Sequence, residues 1–283
     1  MRLAVHSFQF PLLSLESACR VVAALDINAI DIGALKGYAH LDPDEIEDRP
    51  HEIIARTMSA CGEHGLCISD ILPSFGLGTK DRPLNDLDSA VRAANARRFQ
   101  TFVQVAQAVG SPGVTLLPGL VHPSLGPGGS LALAAQVLSE YVHVAQEAGL
   151  RLSFEGHLGS VASTPQLALD LVRQVPGLSV TLDYSHFIAQ GFTEEQVDSL
   201  VPFTGHVHFR QARPGRVQVG AAEGVLDSVR LVRKLQSVGY AGYFTIEYTW
   251  QDWEDCKNVD TVSETILIRD AVIPVINQHQ HSI

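Results

Sequence analysis

Basic residues are the scarce charge in this sequence: 20 Lys and Arg stand against 31 Asp and Glu in 283 residues, a formal charge of −11. With no basic run to override that balance, a phosphate backbone is repelled, and nucleic acid is excluded as an expected partner. Long apolar runs are also missing. No stretch approaches the roughly 20 residues needed to span a bilayer, and the N-terminus enters a strand-like pattern without a basic leader or a small-residue cleavage site. A cytoplasmic protein with no membrane partner is therefore expected. Cysteine is sparse: Cys19, Cys61, Cys67 and Cys256 show no CxxC spacing, which excludes a zinc knuckle and a disulfide framework and leaves four ordinary reduced side chains. A Gly-rich turn after the first strand is lacking too, since SFQFPLLS follows RLAVH; that argues against a doubly wound nucleotide-binding sheet.

What is present is a repeated alternation. At 46% hydrophobic content the chain can bury a large core. Strand-like segments at 2–8, 28–33, 66–72 and 113–119 are each followed by a stretch of helical spacing, at 13–25, 45–64, 87–109 and 131–148. A Gly/Pro loop through His122 and Gly129 precedes the last of these. The pattern continues through RLSFEG, LSVTLD, GHVHF and YFTIE, with helices over TPQLALDLVRQV, TEEQVDSLV, LDSVRLVRKLQSVGY and SETILIRDAVIPVI. Thr164 and Thr193 stand where N-caps belong. Eight strand–helix alternations with no linker or composition break predict a single-domain (β/α)8 TIM barrel over 1–283, with a flexible polar tail from about 276 carrying His279 and His281.

Four consecutive strands end on a metal-ligating residue: Glu155, Asp183, His208 and Glu247. A lone acid at a strand end ordinarily marks a turn or a solvated surface. Here period-two alternation gives all four the same orientation: Ser153, Glu155 and His157 oppose Leu152 and Phe154, while His206, His208 and Arg210 oppose Val207 and Phe209. In a barrel this set faces the C-terminal mouth, where active sites lie. Three carboxylates brought together without a counter-cation would be costly to bury. One shared divalent ion resolves the repulsion, and the oxygen-rich donor set favours Mn, with Mg, Co, Fe or Zn as alternatives.

Glu ending strand five, LDxxH at strand six, HxH on strand seven and GYAGYFTIE at strand eight together resemble the xylose-isomerase-like TIM-barrel superfamily, which includes sugar isomerases, ketose 3-epimerases, inosose dehydratase and AP-endonuclease class 2 enzymes. The resemblance runs along essentially the whole chain. It implies that Glu155, Asp183, His208 and Glu247 hold the metal, that Glu155 and Glu247 pass a proton on opposite faces of the substrate, and that His186 contacts the substrate. It further implies a sugar, keto-sugar or polyol substrate, isomerised or epimerised through a metal-stabilised cis-enediolate, in a homodimer or homotetramer. Two positions depart from the epimerase pattern: Val161 stands six residues after Glu155 where those enzymes have Glu, and Pro214 six after His208 where they have Arg. A dehydratase working by β-elimination on a keto-sugar or keto-inositol, and a non-catalytic sugar-binding or partner-subunit barrel, stay open beside the isomerase reading.

Around this set, His157, Arg210 and Arg213 are expected to touch substrate. The loop RQARPGRVQVG adds Gln211, Arg216 and Gln218, donors suited to a polyol, a carboxylate or a phosphate. His206 is expected inside the barrel below the metal, His6 and Asp70 are satisfied locally, and Trp250 and Trp253 pack near the mouth. Elemental analysis of protein supplied with Mn, Mg, Co, Fe and Zn is expected to find about one divalent ion per chain; no retained metal under any of these conditions would sink the shared-metal reading.

Overall fold

The computed structural model describes residues 1–280, without the side chains of 279 and 280. Eight parallel strands, β1 Arg2–His6, β2 Ala29–Ala34, β3 Cys67–Pro73, β4 Gly113–Leu116, β5 Arg151–Glu155, β6 Ser179–Asp183, β7 Thr204–Phe209 and β8 Tyr243–Ile246, close in sequential order, with β1 paired to β8. The expected (β/α)8 barrel is the fold.

Alternation along the strands explains its layers. The apolar set of each strand, such as Leu152 and Phe154 of β5, Leu182 of β6 and Val207 and Phe209 of β7, is buried in the main hydrophobic core under the helices. The opposite set builds a polar barrel interior. Asp31, Ser69, Asp70, Thr115, Ser153, Thr181, His206 and Thr245 are all buried, and they bond across the barrel: Thr115 to Thr181 at 2.6 Å, Thr115 to Asp70 at 3.2 Å, Arg151 to Asp70 at 2.5 Å. Barrel interiors are more often layered with branched apolar side chains. This one is a hydrogen-bonded network that leads up to the mouth.

Ten helices are described: α1 Leu15–Ala24, α2 Pro43–Asp48, α3 Pro50–Gly62, α4 Ser89–Ala108, α5 Gly126–Glu147, α6 Pro165–Gln174, α7 Tyr184–Ala189, α8 Glu194–Val197, α9 Ser228–Ser237 and α10 Thr261–Gln280. The two threonine caps form as expected. Thr164 accepts the Leu167 N–H at 3.2 Å, and Thr193 and Gln196 make a reciprocal capping box.

Five features differ from the sequence reading. The helix expected over 45–64 is two, broken at Arg49 (φ −138°, ψ 53°) because Pro50 disfavours a helical residue before it. α5 begins at Gly126 rather than Leu131, with Pro127 tolerated in the first turn, where no backbone donor is needed. The helix read over 193–201 shrinks to α8, followed by a 3-10 turn over Asp198–Phe203 that accommodates Pro202. α7, directly after β6, was not anticipated; it is only one and a half turns and has no room for a periodic signal. At the C-terminus α10 continues the expected tail as helix to Gln280, with Ile276 buried; the His279 side chain and all of His281 lie outside the described residues.

Phe154, fully buried on the outward face of β5, tests this layering. Phe154→Ala is expected to cost about 3–5 kcal/mol in chemical denaturation; a loss below about 1 kcal/mol would show that the residue does not fill a packed layer.

Candidate metal centre

β5 and β6 end on Glu155 and Asp183, and β7 carries His208 opposite Asp183 in register. Glu247 follows β8, its N–H donating to the Phe209 carbonyl at 2.9 Å, which fixes it one level above His208. The four side chains are therefore gathered by strand register alone. His208 Nδ1 lies 2.7 Å from Glu155 Oε1 and 3.5 Å from Glu247 Oε2. These three residues offer ligand atoms all within 4.8 Å of one another, and all three are buried.

Asp31, on β2, sets the chemistry of that imidazole. Its Oδ2 accepts from His206 Nε2 at 2.6 Å and faces His208 Nε2 at 3.3 Å. A proton held on Nε2 by a carboxylate leaves Nδ1 as the coordinating nitrogen, the arrangement by which an outer carboxylate orients a metal-binding histidine. His6 completes the layer: its Nδ1 accepts the Phe8 N–H, which turns Nε2 toward Asp31 Oδ1 at 3.6 Å and Glu247 Oε1 at 4.0 Å.

The charges do not balance without help. Burial pushes Glu247 up to about 8 against the pull of His208 and Arg210. Burial likewise raises Asp183, with Arg210 opposing it. In Glu155 burial is outweighed by the hydrogen bond and charge of His208, which hold it below the usual carboxylate range. His208 is held well above its ordinary value: burial lowers it, but Glu247, Asp31 and Glu155 overcome that. Glu247 Oε2 is buried with no hydrogen-bond partner, an orphaned acceptor of the kind a bound cation satisfies. Two carboxylates and an imidazole at this spacing, without thiolate, fit a divalent ion with oxygen and nitrogen preference.

Asp183 is placed differently from its three companions. Its Oδ1 accepts the Ser185 N–H at 2.8 Å as the N-cap of α7, and its Oδ2 accepts from Arg210 Nη2 at 3.0 Å. It enters none of the ligand groups found among the described residues. Arg210, read from sequence as a substrate contact, is an anchored cation of the site, only 2% exposed. Besides Asp183 it donates to Ser185 Oγ at 3.0 Å and His186 Nε2 at 3.0 Å, and it lies 3.5 Å from Glu247 Oε2. Removing it would leave buried acids uncompensated.

α7 carries His186 to the same place, its Nε2 3.4 Å from Asp183 Oδ2 and 3.9 Å from Glu155 Oε2. Burial, reinforced by His157, holds His186 well below its ordinary pKa, so the ring is neutral at physiological pH. His157 stacks on Trp253 at 5.3 Å between centroids, and its Nδ1 donates to the Leu158 carbonyl at 2.7 Å. Glu155, His157, His186, Arg210 and Glu247 all line one cavity of about 280 Å³ at the barrel mouth, together with Phe8, Tyr38 and Trp253.

Other residues singled out from sequence fall elsewhere. Arg213 is partly exposed, pairs with Glu223 at 3.4 Å and is not part of the cavity wall. Arg216 pairs with Asp255. Gln211 and Gln218 hold loop carbonyls, of Leu226 and of Thr249 and Cys256 respectively, each at 2.8 Å. Asp70 is tied to Arg151, and Trp250 packs under Lys257. The residue that sequence reading passed over is Asp31. Its signal was the same as that of Glu155, a single acid inside an apolar strand, AIDIG.

Fold and site together define a parallel eight-stranded barrel with a carboxylate–histidine centre at the C-terminal mouth. The chain belongs to the xylose isomerase-like TIM barrel family, whose profile matches residues 19–267. Comparison with curated proteins gives no match. Similar solved structures include D-psicose 3-epimerase with D-tagatose from Clostridium cellulolyticum H10 (15% identity, 96% of each chain, TM-score 0.72). The probable 3-DHS dehydratase AsbF from Bacillus anthracis is also similar (14% identity, 94% of this chain and 98% of that one, TM-score 0.69), as is the IOLI protein with a bound zinc atom (16% identity, 98% and 99%, TM-score 0.72). At these identities the likeness is one of fold.

If Asp31 orients His208, Asp31→Asn is expected to weaken metal binding about 10- to 100-fold with the fold retained. Titration with a competing chelator and circular dichroism measure the two quantities; unchanged affinity would remove Asp31 from the centre.

Proposed function

We propose that the protein is a divalent-metal-dependent isomerase or epimerase of a sugar, keto-sugar or polyol, moving a carbon-bound proton through a cis-enediolate. The observation that carries this reading is the placement of two glutamates, Glu155 and Glu247, 2.7 and 3.5 Å from His208 Nδ1 and both on the wall of one cavity. Glu155, Glu247 and His208 would hold the ion, with Asp183 as the fourth ligand if its carboxylate turns from Arg210; Mn is the first choice and Mg, Co, Fe or Zn are alternatives. When bound, the ion supplies Lewis acidity that makes the proton beside a substrate carbonyl removable. One glutamate takes that proton and the other returns it, which inverts or relocates a stereocentre depending on the carbon to which it goes. Neutral His186, held by Arg210, orients a substrate hydroxyl. Arg210 stays charged throughout and stabilises negative charge that develops near His186 and Glu247. Trp253 and Tyr38 narrow the mouth and limit water.

A second reading, β-elimination by a dehydratase, draws on the pair His157 and His186, whose rings lie 4.2 Å apart beside Glu155. These rings would orient a leaving hydroxyl, which departs as water with the proton that a glutamate has taken from carbon. The likeness in fold to a probable dehydratase supports keeping this reading.

The test is exchange in D2O. Metal-loaded protein is incubated with a panel of ketopentoses, ketohexoses and keto-inositols, and deuterium beside the carbonyl is followed by NMR. Incorporation is expected with at least one member, and Glu155→Gln and Glu247→Gln are expected to lower it by at least about 100-fold. Loss of water from the product would favour the dehydratase. Binding without exchange or elimination would leave a non-catalytic sugar-binding barrel.

A further inference from the structure

The mouth of the barrel has two chemically distinct halves. The ends of β5 to β8 and the segments after them contribute Glu155, His186, Arg210 and Glu247 to the cavity wall, whereas those of β1 to β4 contribute Phe8, Leu35, Leu72 and Leu117, with Tyr38 and Thr79 as their polar side chains. On the apolar side the cavity continues into an arm of about 50 Å³ lined by the segment 73–84, which shares Leu35, Leu72, Leu117, Gly78, Thr79 and His157 with the main cavity and is further lined by Phe75, Leu84 and Leu116.

Several polar groups around this arm are already engaged, which leaves Thr79 and His157 as the polar side chains where it joins the main cavity. Ser74 Oγ donates to the Gly76 carbonyl at 2.8 Å, and Asp81 accepts the Leu77 N–H at 2.7 Å. Arg82 donates to Asn95 at 3.1 Å, and Tyr38 donates to the Phe8 carbonyl at 3.0 Å. A sugar hydroxyl passing beyond Thr79 and His157 into the arm would give up its water among mainly apolar walls, which is unfavourable; an apolar group entering it gives up only water it binds weakly. An unsubstituted ketose carries a hydroxyl on nearly every carbon and so suits one half of this mouth only.

We infer that the substrate carries an apolar substituent, an alkyl chain or a single aromatic ring, beside its reacting hydroxyketone, and that the arm bounded by Leu35, Leu72 and Leu117 holds it. The inference rests on the proposed metal centre for the orientation of the substrate, with its oxygens toward Glu155 and Glu247. The narrowness of the arm excludes a fused polycycle.

Two hydroxamates differing only in tail length test it on zinc-loaded protein. Hexanohydroxamate adds four methylenes to acetohydroxamate; calorimetry is expected to show it binding about 10- to 100-fold tighter. In the double variant Leu35→Asn, Leu117→Asn the preference is expected to fall to about twofold while acetohydroxamate affinity is kept. Equal affinities in the wild type would overturn the inference, as would a preference that survives in a folded double variant.

A second measurement needs neither metal nor variant. In chelator-treated protein with methyl-labelled leucine, 1-pentanol is expected to shift the Leu35, Leu72 and Leu117 methyl signals, and glycerol is not. Absence of a pentanol response, or an equal response to glycerol, overturns the inference. Failure of both hydroxamates to bind combined with a pentanol response at these leucines would count against the metal centre and for the arm.

Discussion

The contact on which this structure turns is the one between Asp31 and the two histidines of β7. A carboxylate on β2 reaches across the barrel and accepts from His206 while facing His208, so the network filling the interior and the centre at the mouth meet in one side chain. Burying an acid there is expensive unless it is paired. The histidines compensate it, and in doing so they hold the His208 ring so that Nδ1 faces Glu155 and Glu247. The polar interior is thus the support that orients the site.

Arg210 plays the complementary part above. It neutralises Asp183, steadies His186 and Ser185, and backs Glu247. Its guanidinium, planar and permanently charged, suits that multiple role better than an ammonium would. Its presence also makes Asp183 a residue shared between an internal cation and the helix it caps, which separates it from Glu155, His208 and Glu247. On the cavity wall the charged groups come from the ends of β5 to β8 and the segments after them, while Phe8, Leu35, Leu72 and Leu117 stand opposite with Tyr38 and Thr79, so the cavity offers a substrate one charged face and one mainly apolar face.

Much of this was legible in the chain. Alternation with period two marked Glu155, His208 and Glu247 as facing one way, and the repeated strand–helix rhythm marked the barrel, because both follow from backbone geometry that acts over a few residues. Asp31 carried the same local signal and was hidden only because β2 lies far in sequence from β7. Helix ends were less legible: Pro50 split one helix, and the short α7 left too few residues for a period.

The sequence by itself determined which residues face the barrel interior, where the strands end and that acids and histidines gather at the mouth, since pleat and register set these locally. Only the closed barrel decided the partners. That Asp31 orients His208, that Arg210 rather than Arg213 enters the site, and that three leucines at the ends of β2, β3 and β4 line an arm opposite the charged half depend on which strands face one another across the barrel. Closure sets those distances, and pairs such as Asp31 and His206 are 175 residues apart in the chain.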